Sequence, residues 1–186
     1  MSVLPYKDIM PKIGERVYIA PGAWVIGDVV IGDRSSIWFN TVVRADVHYI
    51  RIGSETNIQD NCSLHVTAPA FFLEIGNRVT VGHRAIVHGC VVEDDCLIGM
   101  GAIIMDGARI GRSSIVAAGA VVTPGSVVPP ESIVVGSPAA AKKNITEDER
   151  RRMQHSFSHY LDLASDYLDP RPIHDATRVK GFIDRD

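Results

Sequence analysis

The sequence predicts an all-β solenoid, a parallel β-helix of six-residue repeats followed by one C-terminal α-helix. Three observations predict it. An aliphatic residue recurs at every sixth position along most of the chain, a small or β-branched residue follows four places later, and a helical period appears only near the C-terminus.

The repeating anchors are Ile13, Ile19, Val25, Ile31, Ile37 and Val43, then Ile52, Ile58 and Leu64, then Ile75, Val81 and Val87. From Val92 to Val134 they continue in unbroken steps of six, and all twenty are Ile, Val or Leu. Four residues after an anchor stand Ser35, Thr41, Thr56, Cys62, Val79, Ala85, Cys96, Ala102, Ala108, Ser114, Ala120, Ser126 and Ser132. Both positions therefore point into a narrow interior. Because a strand reverses side-chain direction at every residue, six residues make one short strand and one corner. Three such units close a triangular coil, and stacked coils pair in parallel about 4.8 Å apart. The Gly-rich "IGMGAIIMDG" then supplies corners, and its spacing matches no phosphate-binding loop.

Three steps depart from six. Nine residues separate Val43 from Ile52, eleven separate Leu64 from Ile75, and five separate Val87 from Val92. All three border histidines, and insertions in solenoids map to surface loops that often carry function.

After the last anchor "GSPAAAKKN" leaves the prism, and "ITEDERRRMQHSFSHYLDLASDYL" reads as a helix. Thr146 and Glu149 form a capping box, while Met153, Phe157, Tyr160, Leu161, Ala164 and Leu168 share one apolar face. The expected organisation is a β-helix domain over 1–140, a helix packed on the prism over 141–170, and a polar tail over 171–186.

With 186 residues, 46% of them hydrophobic, the chain can build one domain with a core. A net charge of −3, with acids and bases interspersed, offers no basic stripe for nucleic acid and no polybasic arm for a membrane. "MSVLPYKDIMPKIG" has no apolar signal region and no apolar run reaches the length of a membrane span, so a cytoplasmic location is expected. Cys62, Cys90 and Cys96 are odd in number and lack CxxC spacing, which points to packing rather than to a disulfide or a cysteine zinc site.

Naming the faces a, b and c in order from Ile13 puts Val43, Leu64 and Val87 on face c of successive coils, and Ile58 and Val81 on face b. Residues one past an anchor point outward, so Arg44, His65 and His88 form a column on face c with neighbours about 4.8 Å apart. Asp60 and His83, each two past an anchor, stack on face b. Two imidazole nitrogens on a tetrahedral zinc sit roughly 3.3 Å apart, given bonds of about 2.0–2.1 Å. His65 and His88 suit that separation. His83 lies beyond a corner, on the order of 10 Å away at about 3.3 Å per residue, so one metal held by all three must take His83 from another subunit. Contact of face c with a neighbour's face b is heterologous and can close as a ring of three. It would also set Arg44 opposite Asp60. His48 lies in the insertion after Arg44, whereas His155, His159 and His174 read as solvated surface residues.

The segments "VVRADV" (42–47), "TNIQDNCSLHVT" (56–67) and "VTVGHRAIVHGC" (79–90), with "GMGAIIMDGA" and "VVGSPAA", resemble the γ-class carbonic anhydrases and their bacterial relatives, built on the left-handed β-helix of hexapeptide-repeat proteins. The resemblance covers nearly the whole chain. It alone implies the left hand, because the period carries no sign. It implies a homotrimer in which a hydroxide generated on a shared metal hydrates CO₂ reversibly to bicarbonate. The implied ligands are His65 and His88 of one subunit and His83 of its neighbour, around zinc, iron or cobalt. Arg44 and Asp60 are similar to the family's intersubunit ion pair, and Gln59 to the residue that orients the hydroxide. Asn57 and Asp46 resemble polar residues of the same pocket, and Tyr160 a tyrosine near the site. Val47 stands where the archetype carries a proton-shuttling glutamate, and "HVTAPAFFLE" has no acid before Glu74, which implies slow turnover or none. Three other readings compete: a metal-dependent acyl-CoA thioesterase with "APAFF" lining an acyl pocket, a hexapeptide-repeat acyltransferase, and a non-catalytic trimeric scaffold or binding protein clamped by metal.

Overall fold

The computed structural model describes residues 2–169. His174 and the tail expected over 171–186 lie outside the described residues. The chain winds into a left-handed β-helix with one C-terminal α-helix, Glu147–Leu168. On face b the strands stack in parallel as Tyr18–Ile19, Ser36–Ile37, Asn57–Ile58, Thr80–Val81, Leu97–Ile98, Ile115–Val116 and Ser132–Val135. Faces c and a join in one twelve-stranded sheet, because Trp24–Ile31 and Val42–Ile52 run around the corner between them.

That continuity changes the reading of the first irregular step. The nine residues from Val43 to Ile52 form part of an eleven-residue strand rather than a loop. Trp24–Ile31 pairs along one edge, while Ser63–His65 and Leu73–Ile75 pair along the other, so the backbone stays hydrogen-bonded through the bend.

Eighteen of the twenty anchors are buried; the exceptions, Ile13 and Ile19, belong to the first coil, which has no coil above it. The small inward positions do more than fit. Ser35, Thr41, Thr56 and Ser114 donate their hydroxyls to the carbonyls of Gly53, Gln59, Gly76 and Pro129 in the following coil. The same oxygens accept the N–H groups of Thr56, Cys62, Val79 and Ser132, which leaves the interior hydroxyls satisfied. Cys62 and Cys96 take equivalent places, their thiols directed at the carbonyls of Gly82 and Gly111, and burial pushes both thiols up to about 12. All three cysteines are free and buried, in keeping with a packing role.

Gly136 turns the chain at φ +95°, and Ala140–Asn144 comes back antiparallel to Ser132–Val135. The sequence reading has this segment leave the prism. Instead it covers the last strand of face b, whose N–H and C=O groups would otherwise form an open edge.

The helix begins with the expected capping box: Glu149 N–H donates to the Thr146 hydroxyl, and Thr146 N–H donates to the Glu149 carboxylate. It lies along face b, burying Met153 and Ala164 and packing Tyr160 and Leu168 against Tyr18 and Trp38. The Trp38 and Tyr160 rings meet edge to face at 5.2 Å. Among the described residues, no helix is long and apolar enough to cross a membrane.

Candidate metal centre

Register places His65 directly beside His88 on face c, and Val43 beside Leu64, so Arg44 continues the same outward column. His65 Nδ1 and His88 Nε2 face each other at 3.0 Å, close to the separation a tetrahedral metal requires. Each ring turns its other nitrogen to a carboxylate. His65 Nε2 lies 2.9 Å from Asp46 Oδ1, and His88 Nδ1 lies 2.5 Å from Asp106 Oδ1. An ionised carboxylate only accepts, so satisfying both assigns the protons to these outer nitrogens. The two inner nitrogens are then left facing each other, both able to act as donors to a cation. The donor set fits a divalent metal in that gap.

His83 sits in the turn after Thr80–Val81, in the other sheet, and stacks with Asp60 as their shared offset from Val81 and Ile58 requires. Its Nδ1 is 2.7 Å from Asp60 Oδ2, and its backbone N–H donates to Gln59 Oε1 at 3.1 Å. Tyr160 Oη, brought by the helix, lies 3.4 Å from His83 Nε2. Among the described residues, no group of three or more His, Cys, Asp or Glu side chains within the chain is arranged to hold a metal.

Gln59 and Asn57 are buried on face b. Gln59 Nε2 donates to Asn57 Oδ1 at 3.2 Å, and Asn57 Nδ2 donates to Thr80 Oγ1 at 3.0 Å, so the amide pair is held rigidly beside His83. Arg44 pairs with Asp46 in the same chain, and Asp60 pairs with His83; the Arg44–Asp60 contact anticipated across an interface is not made within one subunit. Burial would raise the Asp46 carboxyl, but hydrogen bonds from His65 and Arg44 and the Arg44 charge outweigh it and hold the group below its ordinary value. Burial raises the Tyr160 phenol, with the negative charge of Asp60 adding to it.

His48 turns sideways: its Nδ1 accepts the Tyr49 N–H at 2.9 Å. It shares a cavity of about 430 Å³ with Asp46, Val47, Ala68 and Pro69. In the loop between Leu64 and Ile75, the Phe71 side chain covers Gly89 and Gly107, and Phe72 stacks on Tyr49 at 5.0 Å. His155 and His159 lie exposed on the helix, ring centroids 6.2 Å apart.

Asp106 and Thr67 are absent from the residues singled out by sequence. Thr67 Oγ1 donates to Asp106 Oδ2 at 3.0 Å, completing a chain from Thr67 through Asp106 to His88. The signal was available in the repeat, since Asp106 is two past Ile104, the anchor that pairs with Val87.

The repeat family described as "Bacterial transferase hexapeptide (six repeats)" matches residues 10–45 and 89–124, and the "Hexapeptide repeat of succinyl-transferase" matches 73–104. Protein YrdA of Escherichia coli is 40% identical over 171 residues, covering 89% of this chain and 93% of that protein. A carbonic anhydrase of Geobacillus kaustophilus is 43% identical over 165 residues, covering 89% and 90%. The crystal structure of a hexapeptide transferase family protein from Anaplasma phagocytophilum superposes with a TM-score of 0.85 at 38% identity, covering 89% of this chain and 98% of that one.

Proposed function

The chain belongs to the hexapeptide-repeat, left-handed β-solenoid family related to γ-carbonic-anhydrase-like and acetyltransferase enzymes, and on that premise we propose that it is a cytoplasmic γ-carbonic-anhydrase-like metalloenzyme. It hydrates CO₂ to bicarbonate at a divalent metal, zinc with iron or cobalt as substitutes, shared between the subunits of a homotrimer. The observation that carries this reading is the pair of inner nitrogens of His65 and His88, 3.0 Å apart with their outer nitrogens committed to Asp46 and Asp106.

Two apolar surfaces support sharing of the site. Face c exposes Trp24, Ile86 and Met105 around the histidine column. Face b has a cavity of about 410 Å³ that runs from Gln59 and His83 to Leu97, Met100 and Ile115. Seating face c of one subunit on the part of face b that the helix leaves uncovered would bury both and bring His83 of the partner subunit toward His65 and His88. Arg44 would then meet the Asp60 of the partner subunit while remaining beside its own Asp46.

A bound zinc-class cation supplies the Lewis acidity that makes water nucleophilic near neutral pH. The side chains prepare for it. Asp46, Asp60 and Asp106 hold protons on the outer nitrogens of three histidines, leaving the other nitrogens as donors. Gln59, locked by Asn57 and the His83 backbone, keeps its amide edge at the pocket to orient the attacking oxygen. Tyr160 closes the helix side and keeps its own proton, because burial raises its phenol. With Val47 exposed and no carboxylate from Thr67 to Phe72, proton removal falls to small buffers, so turnover is slow.

The loop gives the thioesterase reading little room, since Phe71 and Phe72 are occupied in packing and only Ala68 and Pro69 border the cavity by Asp46. The deciding experiment is metal analysis of the purified protein with a CO₂-hydration assay. One metal per chain with hydration well above the buffer background is expected. Metal with acyl-CoA hydrolysis instead would transfer the site to thioester chemistry, metal with neither activity would make it a clamp, and a protein that takes up no metal overturns the proposal.

A further inference from the structure

We propose that Asp106, held in place by Thr67, is the positioning residue of His88, fixing its proton on Nδ1 and presenting Nε2 as the donor. The inference rests on the metal centre proposed above and concerns a residue from a different coil than either histidine of the pair.

The geometry is built from three sides. His88 Nδ1 and Asp106 Oδ1 are 2.5 Å apart, within hydrogen-bond reach of a ring N–H and a carboxylate. Asp106 uses its second oxygen to accept the Thr67 hydroxyl at 3.0 Å, so the carboxylate cannot rotate away without losing a bond. The third side is Gly89, the residue after His88, which has φ +50°; a Cβ there would lie 2.3 Å from Asp106 Oδ1 and 2.8 Å from the Cβ of Phe71. Any side chain at 89 would strike the carboxylate that His88 uses. Glycine at this corner thus serves the backbone turn and the close approach of Asp106 together.

Tautomer choice is the consequence. Without Asp106, the neutral His88 ring can carry its proton on either nitrogen, and a proton on Nε2 blocks the lone pair that faces His65 Nδ1 across 3.0 Å. Asp46 performs the matching service for His65, but it also pairs with Arg44 and so is tied to the interface. Asp106 contacts only Thr67 and His88 through its carboxylate among the described hydrogen bonds and ion pairs, which makes it the cleaner handle.

The test is zinc affinity by chelator competition for wild type, Asp106→Asn and Asp106→Ala, with thermal unfolding of each metal-free protein. Loss of an outer partner of this kind weakens metal binding about 10–100-fold, so Asp106→Ala should fall in that range. Asp106→Asn, which retains an acceptor for Nδ1–H and a group for the Thr67 hydroxyl, should recover part of the loss, and the metal-free melting temperatures should stay close. Wild-type affinity in Asp106→Ala overturns the proposal. So does a loss that follows the metal-free stability with no recovery in Asp106→Asn, because that is the behaviour of a structural residue. If the wild type itself takes up no zinc, the metal centre is wrong, and long-range ¹H–¹⁵N spectra of the metal-free protein above neutral pH still decide the role of Asp106. A proton on His88 Nδ1 in wild type and a mixture in Asp106→Ala supports it, and the same pattern in both refutes it.

Discussion

Two stretches of one solenoid behave differently. From Val92 to Val134 every step is six residues, the positions flanking the anchors are apolar, Gly or Ala except at Glu93, Arg109 and Thr123, and nearly every strand is two residues long. From Val43 to Val87 the steps are irregular, one strand reaches eleven residues, and Arg, His, Asp, Asn and Gln crowd the outward columns. Inside the prism the stretches are alike, since Leu64 and Ile104 are both fully buried and Cys62 and Cys96 make the same thiol-to-carbonyl contact. The difference teaches that the period governs the interior and leaves the exterior free. Functional side chains can be written on the outer positions of a few coils without disturbing the core.

The largest expected effect breaks the comparison from outside. His83→Ala should abolish metal binding while costing the metal-free chain only about 1 kcal/mol, the loss expected from its Asp60 and Tyr160 contacts. Mixing His83→Ala chains with His88→Ala chains should restore metal to a fraction of sites, because some interfaces then carry both mutations and others carry neither. Metal analysis after verified subunit exchange checks this, and no recovery would contradict a shared site.

Next come the interior positions. Leu64→Ala and Ile104→Ala should each cost about 2–5 kcal/mol in denaturant unfolding, with similar values in the two stretches. A Leu64 cost far below that of Ile104 would mean that the irregular coils are held together by something other than their core.

A smaller effect concerns the missing acid. Val47→Glu should raise CO₂ hydration in weak buffer by part of the about 100-fold that a well-placed shuttle supplies, and should blunt the rise produced by imidazole in wild type. Wild-type turnover that is high and indifferent to buffer would assign the proton to another group. His48, beside Asp46 in the same cavity, is the first to examine.

The smallest effect falls on the helix that borders both stretches. Thr146→Ala should cost about 1 kcal/mol through loss of the cap, read as a small drop in unfolding midpoint. Its partner Glu149 is depressed to about 2 by Lys143 and by hydrogen bonds with the Thr146 backbone and hydroxyl. A depressed carboxyl stabilises the folded state above its unfolded value, so this contribution should fade as pH falls from roughly 4.5 toward 2. An acid titration of helix docking, followed by Trp38 fluorescence, should lose that step in Glu149→Gln.

Much of this was legible in the chain itself. Counting in sixes identifies the buried anchors, because strand alternation and coil closure leave an aliphatic residue no other direction to point. The same counting makes His65 and His88 neighbours and stacks His83 on Asp60, since register follows from equal offsets to paired anchors. The family segments supplied the left hand and the catalytic expectation. Offsets say nothing about which acceptor a side chain takes once several lie within reach. The partners of Arg44, the approach of Asp106 across Gly89 and the turn of His48 toward the Tyr49 N–H depend on rotamers and on packing from other coils. Likewise, Val42–Ile52 stays a strand and Ala140–Asn144 returns to cover an edge because neighbouring strands satisfy their backbone groups. Local repetition determined the columns. Only the folded prism decided which donors and acceptors met, because rotamers choose among the several partners that stacked coils bring within reach.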